Sequence, residues 1–410
     1  MSAVFLYDDA TARRFEPFAS TRPVSELVAG VALIRERWRQ AMQPSDGLFF
    51  LAGERHADFD EPGAVAANGV IPAGSVVVNS RCVPQLPADP QSVARRVAPV
   101  TMWRCGNNMA ALRLREPMDA LEFADGSLSL DEIAAGTGAI AEVHGWWLDD
   151  VWDVIRLLQE QLTHDIPIAT RGMSGSLPRH ATILGDQPLF VAQDAVIEPY
   201  VVLDATVGPI MVAEGSHVRA FSRISGPCYI GRHVTVLGGD VTGSSIGDWS
   251  KVRGEMSTSV VIGHSNKGHD GFVGHSYLGR WVNVGAGTIT SNLKNTYGPV
   301  SMWTPDGVRD TGMQFLGTMF GDHVKTGIGL RLTTGTIIGA GSNVYGAMPP
   351  KVVAPFSWGD AWPYKVHRAD KFIEGATRMM ARRSVTLSER GRRHLAATHA
   401  SRWVLEERES

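Results

Sequence analysis

The feature that most constrains this chain is a six-residue step between aliphatic positions. Ile197 is followed six residues on by Leu203, Val212 by Val218, Ile230 by Val236, Ile246 by Val252, Leu278 by Val284 and Ile338 by Val344. Glycine directly follows Ile230, Ile246, Ile262, Leu278 and Ile338, and Ile230, Ile246, Ile262 and Leu278 are sixteen residues apart. Three faces of about six residues make one triangular coil. The period therefore predicts a parallel β-helix over residues 183–347, with aliphatic side chains inside the prism and small residues at its corners. Glycine follows the same division: residues 1–180 hold 13, residues 181–350 hold 28.

The register fails once. After Asn292 the run LKNTYGPVSMWTPDGVRDTG carries no six-residue step, which resumes near Phe320-Gly321-Asp322. A loop of that length is uncommon unless it has a function. We expect Leu293–Gly312 to close over a groove and to meet a neighbouring subunit through Tyr297, Met302 and Trp303, which are costly to leave in water.

Residues 1–180 read as mixed α/β. Ala3–Tyr7, Leu48–Leu51 and Val76–Val78 are strand-like runs. Apolar residues at 24, 27, 28, 31, 34 and 38 predict a helix, as do Val151, Val154, Ile155, Leu158 and Leu162 behind an Asp149 or Asp150 cap. The Gly/Ser/Pro stretch Arg171–Pro178 suggests a boundary. The expected domains are 1–180, 181–350 and a helical tail over 351–410, whose last 46 residues carry 11 basic and 6 acidic side chains.

Composition excludes some functions. With 39 basic and 42 acidic residues the net charge is −3, which argues against a nucleic-acid-binding surface. No apolar run reaches the ~18 residues of a membrane span, and the start lacks the pattern of an export signal. Cys82, Cys105 and Cys228 make neither a disulfide framework nor a zinc spacing, so a cytoplasmic protein is expected. No lysine precedes Lys251, which leaves arginine to neutralise phosphates in the first half.

The densest polar run is His264-Ser-Asn-Lys-Gly-His269-Asp-Gly-Phe-Val-Gly-His275, followed by Asn283-Val-Gly-Ala-Gly-Thr-Ile-Thr-Ser-Asn292. The spacing sets the three histidines on successive coils. A histidine there can take a proton from an amine near neutral pH.

These residues resemble the acetyltransferase half of the bifunctional N-acetylglucosamine-1-phosphate uridyltransferase (GlmU) family, which reads H-x-x-Y-L-G, then I-G, then N-I-G-A-G-T-I-T-x-N at this spacing. Ser265–Gly271, Leu293–Gly298 and Phe356–Gly359 resemble the GlmU-like sugar nucleotidyltransferase subfamily. The resemblance implies a Rossmann-like α/β nucleotidyltransferase domain, then a left-handed β-helix that forms a homotrimer and takes acetyl-CoA. It implies His269 as catalytic base, with Arg253, Asn283, Asn292 and Lys294 on the substrate. Ala286, Gly287 and Ala340 would contact acetyl-CoA. Two family tyrosines are Phe272 and Leu293 here.

In the first domain, Arg22-Pro23 ahead of Gly30 resembles the P-K-P-x-x-x-V-A-G segment of sugar nucleotidyltransferases, without their Gly-rich loop. The resemblance implies nucleotide contacts from Arg22, Asn79 and Arg81, with Asn79 where the family has a Mg²⁺-binding aspartate. The substrates implied are a sugar phosphate, a nucleoside triphosphate and acetyl-CoA, with Mg²⁺ needed if nucleotidyl transfer is active. Three other readings stand beside this one: an acyltransferase with a degenerate first domain, a γ-carbonic-anhydrase-like zinc site on His264, His269 and His275, and a sugar-nucleotide-binding scaffold without catalysis.

Overall fold

The computed structural model describes residues 3–88, 100–134 and 138–405. They fall into two compact units: Met1–Asp153 with Ser388–Thr398, and Val154–Leu387 with His399–Ser410.

The first unit is built on a mixed sheet. Its strands are β1 (Val4–Tyr7), β2 (Leu48–Leu51), β3 (Val76–Asn79), β4 (Val100–Cys105), β5 (Asn108–Arg113) and β6 (Ala139–Glu142). They lie in the order β6-β4-β5-β3-β1-β2. β1 runs parallel to both β2 and β3, while β5 is antiparallel to β3 and β4. β1 and β3 are buried along their whole length, which is why they read as continuous aliphatic runs. The helix expected from Val24 begins only at α1 (Ile34–Met42). Ahead of it come a 3₁₀ turn after Pro23 and a tight antiparallel pair, Val28–Ala29 with Ala32–Leu33, turned at Gly30 with φ +61°. The apolar residues stay inside, with Leu27, Ile34 and Trp38 fully buried. Burial, and not helix, is what their spacing recorded.

The second unit is the β-helix. One face stacks nine parallel strands, with Val191, Val212, Ile230, Ile246, Val261, Leu278, Phe320, Ile338 and Val353 in one inward row. The sixteen-residue step slips once: the residue beneath Ile246 in this row is Val261, not Ile262. A second face stacks Ile197, Val218, Val236, Val252 and Lys267. A third stacks Leu203, Ile224, Val241, Met256 and Val273. Apart from Lys267, these rows form one continuous apolar core.

The corner between the first and second faces carries a stair of rings. His233, Trp249, His264, Trp281 and His323 stack in succession with centroids 4.1, 6.4, 4.4 and 6.5 Å apart. All five have left-handed φ between 54° and 64°. Two longer helices in this unit are α2 (Leu158–Ala169) and α3 (Ala369–Ala381). Gln159 on α2 donates to the Gly243 carbonyl at 2.6 Å, so this helix packs with the coils although it precedes the Gly/Ser/Pro stretch. A further helix, α4 (Glu389–Ala400), carries Ser388–Thr398 back into the first unit.

The interruption at 293–312 is a folded hairpin. Ser301–Thr304 pairs with Gly307–Asp310. Val300 and Met302 are fully buried, and Trp303 stacks on Trp403 at 4.6 Å. Lys351 donates to the Ser301 carbonyl and Arg156 to the Thr311 carbonyl, both at 2.6 Å. The chain itself covers Met302 and Trp303, so no neighbouring subunit is needed to bury them. Of the three residues expected at a partner surface, Tyr297 alone stays exposed, and Val308 on the hairpin is exposed as well. No helix among the described residues is long and apolar enough to cross a membrane.

Candidate functional site

In the second unit the three histidines share one coil. His264 lies between Val260–Val261 and Asn266–Lys267, His269 between Asn266–Lys267 and Phe272–Gly274, and His275 between Phe272–Gly274 and Tyr277–Leu278. They occupy its three corners, not successive coils as the spacing suggested, so one chain cannot bring them onto one zinc. Among the described residues no group of three His, Cys, Asp or Glu side chains can hold a metal ion.

The corner with His269 gathers several predicted residues. Arg253 lies one coil before it and pairs with Asp270 at 3.0 Å. Ala286 and Gly287 lie one coil after it, where the Gly287 N–H donates to the Asp270 carbonyl at 2.9 Å. Stacked coils are ~4.8 Å apart, so Arg253, His269 and Ala286 share one corner of three successive coils, with the Arg253 guanidinium held between Asp270 and the Leu237 carbonyl, to which its Nη1 donates at 2.7 Å. The His269 ring is exposed and makes no hydrogen bond among the described residues. The Ala286 N–H is likewise without a partner among them. Of the two expected donors only Ala286 is therefore available, since Gly287 is committed to Asp270.

Asn283 sits on the adjoining face, pointing outward in the row Lys251, Asn266, Asn283, Lys325, Asn343. Its Oδ1 accepts from Asn266 Nδ2 at 3.0 Å. The row leads to a cavity of about 590 Å³ lined by Lys325, Trp358, Lys365, His367, Lys371 and Arg378, among others. Burial pushes the Lys325 ammonium down to about 8.

Other predicted residues lie apart from His269. Asn292 is at the opposite end of the third face, where its Nδ2 meets His275 Nδ1 at 2.9 Å. Phe315 stacks on the His275 ring at 5.3 Å, and burial pushes the His275 imidazole down to about 4. Lys294 begins the hairpin segment and donates to the Pro299 carbonyl. Ala340 is wholly buried at the first corner, where its carbonyl accepts from Phe356 N–H at 2.8 Å. It is not in the column of Ala286. There Gly285 abuts Gly327, and Gly327 abuts Tyr345.

In the first unit, β1 and β3 end side by side where the strand order reverses, the usual ligand crevice of such sheets. A cavity of about 250 Å³ opens there, lined by Tyr7, Asp9, Asn79, Arg81, Asn108 and Trp147, among others. Asn79 Nδ2 donates to Asp9 Oδ2 at 2.8 Å. Arg81 binds the same carboxylate at 2.9 Å and lies over the Trp147 ring at 4.7 Å. Asp8 beside it is buried, and desolvation pushes its pKa upward. Arg22 is not in this group. It is 1% exposed, paired with Glu61 at 2.9 Å, and packed on Phe59. The resemblance placed it with Asn79 and Arg81, but its charge is spent inside the fold.

Magnesium does not fit this crevice as it stands. Asp9 is the carboxylate nearest Asn79, and both its oxygens already accept from Arg81. Asp9, Trp147, Lys325 and Lys267 were not among the site residues expected from the sequence. The Asp8-Asp9 pair closing a strand was the signal available for the first of these.

The family model for sugar nucleotidyl transferases matches residues 4–174. A bifunctional protein GlmU of Methanococcus vannielii is 28% identical over 203 residues, 49% of this chain and 43% of that protein. A GlmU of Desulfitobacterium hafniense is 34% identical over 171 residues, 40% of this chain and 33% of that protein. The chain thus spans less than half the length of these relatives. A UDP-N-acetylglucosamine acyltransferase structure from Campylobacter jejuni is 13% identical, over 56% of this chain and 97% of that one, with a TM-score of 0.25, an overlay too loose to argue from.

Proposed function

We propose that this GlmU-like chain is a bifunctional sugar-nucleotide enzyme. Its β-helix transfers an acetyl group from acetyl-CoA to the amine of an amino-sugar phosphate, and its first unit binds a nucleoside triphosphate and a sugar 1-phosphate. The observation that carries the acetyl-transfer reading is the corner where Arg253, His269 and the Ala286 N–H meet on three successive coils. The acceptor's neutral amine attacks the thioester carbon with its lone pair, and His269 takes the proton from the ammonium centre so formed. The carbonyl oxygen gains charge and accepts from the Ala286 N–H. The C–S bond then breaks, and the thiolate leaves with a proton returned from His269.

Arg253 and Asn283 are the side chains on hand for the acceptor. The cation-lined cavity around Lys325 suits the phosphates of coenzyme A. Asn292 and Lys294 are proposed to act at the edge of the groove, beside His275. Gly287 and Ala340 keep a structural role. In the first unit, Arg81 and Asn79 are the nucleotide contacts this reading retains, and no step through Mg²⁺ is drawn. A homotrimer belongs to this reading through the resemblance alone, while a reducing, cytoplasmic setting fits three free cysteines that are all buried.

The test is a substrate screen on the full chain. Amino-sugar phosphates are offered with acetyl-CoA and thiol release is followed. Sugar 1-phosphates are offered with each nucleoside triphosphate and pyrophosphate release is followed. Free thiol with at least one amino-sugar phosphate is the expected result. None with any acceptor refutes the acetyl-transfer reading.

A further inference from the structure

A lysine stands where the prism calls for an aliphatic side chain. The inward row of the second face reads Ile197, Val218, Val236, Val252 and then Lys267. Lys267 is 2% exposed. Valine in this place would continue the core at no cost in desolvation, whereas a buried ammonium must be matched by good acceptors.

Its acceptors are specific. Lys267 Nζ donates to the Arg253 carbonyl at 2.7 Å and to the His269 carbonyl at 2.6 Å. Those two residues lie on successive coils of one corner, and their side chains leave it outward. The His269 carbonyl has no other donor among the described residues. Gly268 precedes His269, and Gly271, with φ +133°, follows Asp270. Glycine on both sides leaves the backbone at His269 unusually free. The outer Arg253–Asp270 pair is solvent-exposed, and exposed pairs restrain little.

We infer that Lys267 is a positioning residue: from inside the prism its ammonium holds the backbone of Arg253 and His269 together, so that guanidinium and imidazole project with a fixed relation. Burial pushes the group down to about 8, in keeping with an ammonium held in a dry interior. The inference rests on reading His269 as the base, but the clamp itself is a property of the backbone and can be tested without catalysis.

The experiment compares Lys267→Met and Lys267→Gln with the unaltered full chain. Amide hydrogen exchange is followed at Glu255 and Gly287, whose N–H groups donate to the Gly271 and Asp270 carbonyls of this corner, with His264 at the first corner as control. We expect Lys267→Met to keep its thermal midpoint, because an apolar chain fills the row. We expect exchange at Glu255 and Gly287 to rise at least tenfold while the control corner is unchanged. In acetyl transfer, kcat falls at least tenfold with the KM for acetyl-CoA unchanged, and Lys267→Gln, which keeps a donor, recovers part of it. Unchanged exchange at Glu255 and Gly287 overturns the clamp, as does a kcat loss that only tracks loss of folded protein. If Lys267→Met does not fold, Lys267→Gln carries the exchange test. If the unaltered chain transfers no acetyl group, the functional reading fails and exchange alone decides the clamp.

Discussion

Single residues separate what is available for chemistry from what the fold has used. His269 is exposed and unengaged, and His269→Ala is expected to lower acetyl transfer by ~10²–10⁴-fold, the usual contribution of a general base, with the thermal midpoint unchanged. His275→Gln should cost far less turnover than His269→Ala, since His275 occupies another corner and reaches the acceptor only through Asn292. Its effect should appear in acid. The folded imidazole titrates near 4 and the unfolded one near 6.5. Between those values the unfolded chain binds the proton and the folded one does not. The stability His275 contributes is therefore complete above about pH 6.5 and is lost as pH falls towards 4, by up to roughly 3 kcal/mol. Urea unfolding between pH 7 and 4 should show a shallower loss for His275→Gln, and equal slopes would refute the assignment. Arg22→Ala should act on folding rather than on binding. Removing one partner of a buried ion pair costs about 3–5 kcal/mol, so its denaturation midpoint should fall. Nucleotide affinity, measured by calorimetry on folded protein, should not change. Arg22, Asn79 and Arg81 looked alike in the sequence, because a motif records which residues are present and not whether the fold encloses a side chain, as it does Arg22, or leaves it lining a cavity, as it does Asn79 and Arg81.

Among elements, the hairpin after Asn292 departs furthest from its sequence expectation. Its length and its aromatic residues were read as a lid needing a partner, but Trp303 is covered by Trp403 of the same chain. Trp303→Ala is accordingly expected to destabilise the second unit by about 3–5 kcal/mol, as for other large aromatic deletions from a core. Chemical denaturation followed through the β-sheet signal measures this. A loss below about 1 kcal/mol would mean that the hairpin does not belong to the core. The strands of the β-helix, by contrast, were legible in advance. Each coil packs on the next, so outside the hairpin the inward row repeats every 15 to 21 residues and leaves a period in the sequence. The slip from Ile262 to Val261 marks the limit of that reading, since two adjacent aliphatic residues fit the pattern equally well and only strand pairing chooses between them.

At the scale of the molecule the chain does not simply pass from one unit to the next. Ser388–Thr398 returns to the first unit, where Arg393 pairs with Asp58 at 2.9 Å and His394 Nε2 donates to the Thr21 carbonyl at 2.8 Å and lies with its ring 5.5 Å from the Phe59 ring. A fragment ending at residue 180 lacks this helix. It is expected to unfold several degrees below the first unit of the full chain, at ~2–4 °C for each kcal/mol lost, as calorimetry would show, and an unchanged midpoint would refute the dependence. The sequence by itself determined the β-helix, the mixed α/β character of the first part and the run of residues from His269 to Ala286, because those patterns are set by neighbours a coil or a strand apart. Only the tertiary structure decided that three histidines occupy three corners, that Arg22 is spent inside the core, that Lys267 points inward beneath His269, and that Trp403 covers Trp303. Those outcomes depend on direction and on contacts between residues far apart along the chain, and neither leaves a period or a spacing to read.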